Sequence, residues 1–271
     1  MSNSAQVAPA SPVILEDKHD GIAALVLNRP DKLNALNSDL STALNQALTR
    51  IAEDDTIHVV VLSGAGRAFC AGGDLGAIGK GRERNETAEL GPILRSGMQA
   101  VLKMRLMPQP VIAAVNGPAA GAGMNIALAA DIRIAADTAT FGQNFSRVGL
   151  FPDYGGTYFL PQLVGPSVAA EMFYTGEMID AQTALRLGIV SRVVPAAQLE
   201  SEVKTLAQKI AQGPPLAIRA VKKVLFGSHE KELMKALDHE VELQMKCFHS
   251  EDCSEGIRAF FEKRHPKFQG K

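Results

Sequence analysis

Apolar residues follow two alternating rhythms up to about residue 195 and a single rhythm beyond it. The runs AALVL (23–27), VVVL (59–62), VIAAV (111–115) and IRIA (132–135) are uninterrupted apolar or β-branched stretches, the pattern of strands buried on both faces. Between them the spacing becomes helical. Residues 38–53 place Leu40, Leu44, Ala47, Leu48 and Ile51 on one face, with Ser38 as N-cap. Residues 86–106 and 121–130 read the same way. Strands separated by helices predict βα units and a mainly parallel sheet, an α/β fold.

After IVSRVV (189–194) only the helical rhythm remains. Residues 197–212, 215–226, 230–247 and 251–263 read as helices, punctuated by Gly213, Pro214 and Pro215 and by Gly227 and Ser228. Leu233, Leu237, Val241 and Met245 fit one apolar face of the third. With no strands of its own, this region is expected to cover the core or a neighbouring subunit. The expected organisation is a disordered tail (1–12), a core (13–195) and a helical region (196–271). The tail, MSNSAQVAPASP, lacks the basic segment and apolar stretch of a signal peptide, and no apolar run is long enough to span a bilayer.

Composition narrows the function. The 28 Lys and Arg balance 29 Asp and Glu without a basic stripe, and residues 38–53 carry only Arg50, so no nucleic-acid partner is expected. Cys70, Cys247 and Cys253 have no metal-ligand spacing and cannot all pair, which fits a reducing, cytoplasmic setting. The six histidines are scattered, so no metal site is expected.

Two glycine-rich segments each follow a buried strand: SGAGRAFCAGGDL (63–75) and NGPAAGAGMN (116–125). Glycines there let backbone approach a ligand closely. In the second segment free N–H groups would open a helix, where the dipole adds positive potential. Two such donors converging on one carbonyl oxygen form an oxyanion hole, each typically worth roughly 2.7–4 kcal/mol of barrier. Tight turns alone would also account for the glycines. Gly121 and Gly123 are followed by Ile126 where a dinucleotide fingerprint needs glycine, and neither GxxxxGK[ST] nor GxSxG occurs.

Together LNRPDKLNAL (27–36), GRAFCAGGDL (66–75), the block 115–164 and EGIRAFFEKRHPKF (255–268) resemble the enoyl-CoA hydratase/isomerase (crotonase) superfamily over nearly the whole chain. The resemblance implies a spiral of ββα units followed by a helical trimerisation region, a homotrimer or dimer of trimers, an acyl-CoA substrate and no cofactor. It puts the oxyanion-hole N–H groups on Gly73 and Ala122, and CoA contacts on Lys32, Leu33, Ala35, Arg67 and Ala71. Phe260 and Lys263 would reach CoA on a neighbouring subunit. Asp74 and Leu75 continue the first segment, Asp74 ordering its own loop. Tyr158 lines the acyl pocket or packs the core.

The resemblance also marks a departure. The positions matching the two glutamates of the family's hydratases carry Asn125 and Phe145, neither of which titrates as a general base. Asn125 orients substrate or bonds nearby backbone. Asp153, in GLFPDYGGT, stands where several family isomerases carry an acid, and the pattern is most similar to ring-1,2-epoxyphenylacetyl-CoA isomerases. Its apolar flanks Leu150, Phe151, Pro152 and Tyr154 predict a poorly solvated carboxyl with a raised pKa; the alternative is an N-cap of the following helix. The expected activity is an acyl-CoA isomerase. Rivals are a hydratase, hydrolase or dehalogenase of the same scaffold, or a non-catalytic acyl-CoA binder. Segment 76–96 mixes glycine and charge and is expected to form a lid.

Overall fold

The computed structural model describes residues 11–83 and 90–271. Most of the expected tail and the middle of the expected lid lie outside them.

Six strands form the main sheet: β1 (Ile14–His19), β2 (Ile22–Leu27), β3 (Val59–Gly64), β4 (Val111–Val115), β6 (Ile132–Ala136) and β9 (Arg192–Val194), in the order β1-β2-β3-β4-β6-β9. β1 pairs antiparallel with β2; every other pairing is parallel. A second sheet joins β5 (Ala119–Ala120), β7 (Thr140–Gly142) and β8 (Met178–Asp180). The four apolar runs are strands with both faces covered. Val60, Leu62, Val111, Ala113 and Val115 face a large core, whereas Val59, Ile112, Ala114, Ile134 and Ala136 face a smaller one.

Helices account for both cores. α1 (Ser38–Ala52), α3 (Leu90–Leu106), α4 (Ala122–Ala129) and α5 (Gly156–Thr175) pack the larger one, and the short α6 (Ala181–Arg186) adds Ala181 and Ala184. α2 (Leu75–Glu83) follows the first glycine segment directly. α1 is capped one residue earlier than the sequence suggests: the Asn37 side chain, not Ser38, accepts the Leu40 N–H at 3.0 Å. α5 bends at Gly165, whose φ of 78° is non-helical. These are the ββα units and α/β architecture expected from the sequence.

The C-terminal region comprises α7 (Leu199–Ala211), α8 (Pro215–Gly227), α9 (Glu230–Phe248) and α10 (Glu251–Glu262). It does cover the chain's own core: α7 closes the smaller core with Leu199, Val203, Ala207 and Ala211. α9 and α10 lie over the larger one through Leu233, Leu237, Phe248, Cys253 and Ile257. α8 leaves Leu216, Val221, Val224 and Leu225 exposed. Among the described residues no helix is long and apolar enough to cross a membrane.

Candidate active site

The two glycine segments are stitched side by side. Arg29 donates to the Ala35 carbonyl and, at 3.0 Å, to Asp74. Asn34 is fully buried, and its amide nitrogen lies 2.8–3.2 Å from the carbonyls of Ala65, Ala68 and Phe69. Leu36 donates to Gly72 O at 2.7 Å and accepts from Asp74 N at 2.9 Å. In such a parallel bridge Gly73 turns its own N–H away from Leu36, toward the edge on which the second segment runs. That second segment is tied on by Cys70, which exchanges hydrogen bonds with Pro118 and Ala120 at 3.2 and 3.0 Å.

Glycine is required where the segments touch. Gly72 has φ +93°, and a Cβ there would lie 2.8 Å from Ala120 O and 3.7 Å from Ala122 N. At Gly123 a Cβ would lie 2.2 Å from Cys70 O. Ala122 opens α4, whose first helical bond is Asn125 N to Gly121 O at 3.1 Å, so its N–H is one of the orphan donors of a helix start. Among the described residues neither Gly73 N nor Ala122 N has a backbone acceptor outside regular elements.

A cavity of about 450 Å³ and a smaller one of about 100 Å³ meet here, and Gly73, Asp74, Ile78, Ala122, Asp153 and Phe248 line both. The larger continues past Lys32, Leu33, Ala35, Ala71 and Leu75 to Phe145, Phe260 and Phe261. The smaller is walled by Leu36, Leu90, Ile93, Leu94 and Tyr154. A long polar-headed ligand would occupy the first with its apolar end in the second.

Asp153 sits at this junction, 6% exposed. Its Oδ2 accepts from Gln244 Nε2 at 3.0 Å, and Oδ1 is buried without a partner among the described residues. Burial pushes the carboxyl up to about 8, helped by the nearby Glu240 carboxylate and opposed by the Gln244 amide. It does not cap α5. That role falls to Glu240 of α9, whose carboxylate accepts Gly155 N at 2.7 Å, Thr157 N at 2.9 Å and Thr157 Oγ1 at 2.5 Å. Burial raises Glu240 to about 7, against these three donors. Tyr154, with φ +53°, reaches its hydroxyl to Ser41 Oγ at 3.1 Å beside Asp153.

The chain as a whole is similar to known proteins. Residues 17–271 match the family model described as Enoyl-CoA hydratase/isomerase. The chain belongs to the enoyl-CoA hydratase/isomerase (crotonase) superfamily. It is 42% identical to a probable enoyl-CoA hydratase of Rhodobacter capsulatus over 93% of this chain and 96% of that protein. It is 37% identical to the 1,2-epoxyphenylacetyl-CoA isomerase of Escherichia coli, over 95% and 98% respectively. A crystal structure of an enoyl-CoA hydratase from Mycobacterium avium subsp. paratuberculosis superposes with a TM-score of 0.86 at 32% identity, covering 95% of this chain and 98% of that one.

Within this family scaffold the expected site residues separate into two groups. Gly73, Ala122, Asp153, Lys32, Leu33, Ala35, Ala71, Asp74, Leu75, Phe145 and Phe260 line the joined cavities. Phe260 does so on its own chain, paired edge-to-face with Phe261 at 5.5 Å. Four others lie elsewhere. Arg67 is exposed, and neither it nor Tyr158 lines either cavity. Tyr158 packs edge-on against Phe159 at 5.4 Å, and Lys263 is the exposed residue ending α10. Asn125 is wholly buried beneath the floor: it donates to the Asp153 carbonyl at 2.6 Å and accepts from Gln143 at 2.6 Å. It therefore holds the acidic loop rather than facing the cavity. Asp74 orders its loop, accepting Ala77 N at 3.1 Å and pairing with Arg29.

Gln244, Glu240 and Phe248 are absent from the sequence-based set. They come from one face of α9, about 90 residues after Asp153.

Proposed function

We propose that this chain is an acyl-CoA isomerase that shifts a double bond, or opens a ring epoxide, through a thioester enolate. The N–H groups of Gly73 and Ala122 would hold the enolate oxygen, and Asp153 would carry the proton. The observation supporting this reading is that, among the described residues, Asp153 is the one acid lining the cavities that keeps an oxygen unpartnered. Of the acids lining the cavities, Asp74 is engaged by Arg29 and by the first turn of α2, whereas Asp153 keeps one oxygen unpartnered. One carboxylate can remove a proton from one carbon of the acyl chain and return it to another. Adding water across a double bond asks for a second group to hold and deprotonate the water, and Phe145 and the buried Asn125 offer none.

In the double-bond reaction the ionised Asp153 takes a proton from the carbon next to the alkene, forming the C=C–O⁻ of the enolate. The same group, now protonated, delivers it to the far carbon as the thioester carbonyl re-forms. Low solvation favours this shuttle, because the carboxyl raised to about 8 is equally ready to hold or release a proton just above neutral pH, with roughly a tenth of it ionised at pH 7. The long cavity ending at Phe260 and Phe261 would take the CoA moiety, and the 100 Å³ pocket the acyl group. Assembly as a homotrimer or dimer of trimers would cover the exposed apolar face of α8.

The experiment is a comparison of a 3-enoyl-CoA with crotonyl-CoA in deuterated water. Isomerisation with deuterium entering the α and γ carbons, and slow formation of 3-hydroxyacyl-CoA, is expected. Fast hydration of crotonyl-CoA overturns the isomerase reading. Tight binding with no exchange leaves a binding protein instead.

A further inference from the structure

The helical region contributes more than a cover. On α9, Glu240 and Gln244 lie one turn apart, each 1% exposed, and both reach into the loop that bears Asp153. The Gln244 amide is used at both ends: Oε1 accepts Phe151 N at 2.9 Å and Nε2 donates to Asp153 Oδ2 at 3.0 Å. The backbone N–H of Phe151 can only donate, so it fixes which end of the amide is oxygen. The end facing Asp153 must be the donor. One turn earlier Glu240 takes the N–H groups of Gly155 and Thr157. Two side chains thus hold the residues on both sides of Asp153 and one of its two oxygens.

We infer that Gln244, braced by Glu240, is the positioning residue of the reaction: by occupying Oδ2 it leaves Oδ1 as the one oxygen that takes up and releases the proton. This rests on the reading of Asp153 as the proton carrier. The amide cannot accept from Oδ2, so a proton on the carboxyl must reside on Oδ1, which has no partner among the described residues. The donor also favours the ionised form. Among the described residues, the other titratable groups facing Asp153 are Glu240 of α9 and the Tyr154 hydroxyl, with which it interacts electrostatically.

Three variants test this at a temperature where circular dichroism shows them folded. Gln244→Leu removes the donor and is expected to lower kcat by roughly 10- to 100-fold with little change in KM. It should also move the ascending limb of kcat/KM against pH alkaline by about one unit. Gln244→Glu keeps an acceptor for Phe151 N but sets a second acid against Oδ2; it is expected to replace the single limb by two coupled ionisations, and it serves where Gln244→Leu fails to fold. An unmoved limb in a folded Gln244 variant overturns the inference. Asp153→Asn separates the two levels. If it is inactive and the Gln244 limb is unmoved, only the role of Gln244 fails; if it is active, the proton carrier fails with it.

Discussion

Asp153→Asn should weaken catalysis and strengthen the fold, and the two effects come from one physical cause. The amide keeps the shape of the side chain and can accept from Gln244 Nε2, but it cannot carry a proton to and fro. Loss of a positioned acid–base group is typically worth about 10²–10⁴ in rate, read as the absorbance of the conjugated thioester formed from a 3-enoyl-CoA. The stability effect follows from linkage. Folding raises this carboxyl from the ordinary 3.8 to about 8, so between those pH values the folded chain keeps a proton that the unfolded chain has released. Its contribution to stability therefore falls as pH rises through that window and levels off above about 8. Four units would amount to about 6 kcal/mol at most. Water entering the open cavity reduces this, and a third of it, about 2 kcal/mol, corresponds to roughly 4–8 °C in Tm for a chain of this size. The variant should gain that much at pH 9 and only about a quarter of it at pH 5, where little of the window has been crossed. Thermal scans at the two pH values provide the measurement. A gain equal at both, or a loss at both, refutes the claim that burial holds this carboxyl protonated; near wild-type turnover refutes its role in proton transfer.

For the double-bond reaction kcat/KM should rise with pH and level off above about 8, because the ionised form of the raised carboxyl is the base; a profile that falls across pH 6–9 would instead fit a protonated carboxyl donating to an epoxide oxygen. Gly123→Ala should lower Tm by several degrees and depress kcat together, since its Cβ would meet Cys70 O at 2.2 Å and push apart the segments bearing Gly73 and Ala122; an unchanged melting curve would contradict that contact. Glu240→Leu should cost about 2–4 kcal/mol by leaving the N–H groups of Gly155 and Thr157 buried without an acceptor, seen as a lower denaturation midpoint, whereas unchanged stability would mean that solvent reaches those groups.

The strands were legible because burial on both faces leaves an unbroken apolar run, as in VIAAV, and the glycine segments were legible because only glycine fits where Gly72 and Gly123 touch carbonyls of the facing segment. Elements of two or three residues, β5, β7 and β8, carry no periodicity to detect. The mostly charged β1 gives no apolar run, because as an edge strand it exposes five of its six residues. At the site, the raised pKa of Asp153 was foreseeable from its apolar neighbours, but the choice between base and helix cap was not. The structure gives the cap to Glu240, from a helix remote in sequence.

That helix shows why the missing residues were missed. Hydrophobicity alone runs the buried stripe of α9 through Leu233, Leu237, Val241 and Met245, yet the buried residues are Leu233, Leu237, Glu240, Gln244 and Phe248. At 3.6 residues per turn the observed set lies on one narrow face, and Val241 and Met245 sit half-buried at its edge. The polar residues are therefore on the inward face itself. Burying a carboxylate and an amide is costly unless every buried group is paired, and here the pairs come from Phe151, Asp153, Gly155 and Thr157, the loop at the cavity junction. A helix serving only to cover the core would gain more from Leu at both positions. Their presence there is what ties the helical region to the loop of Asp153.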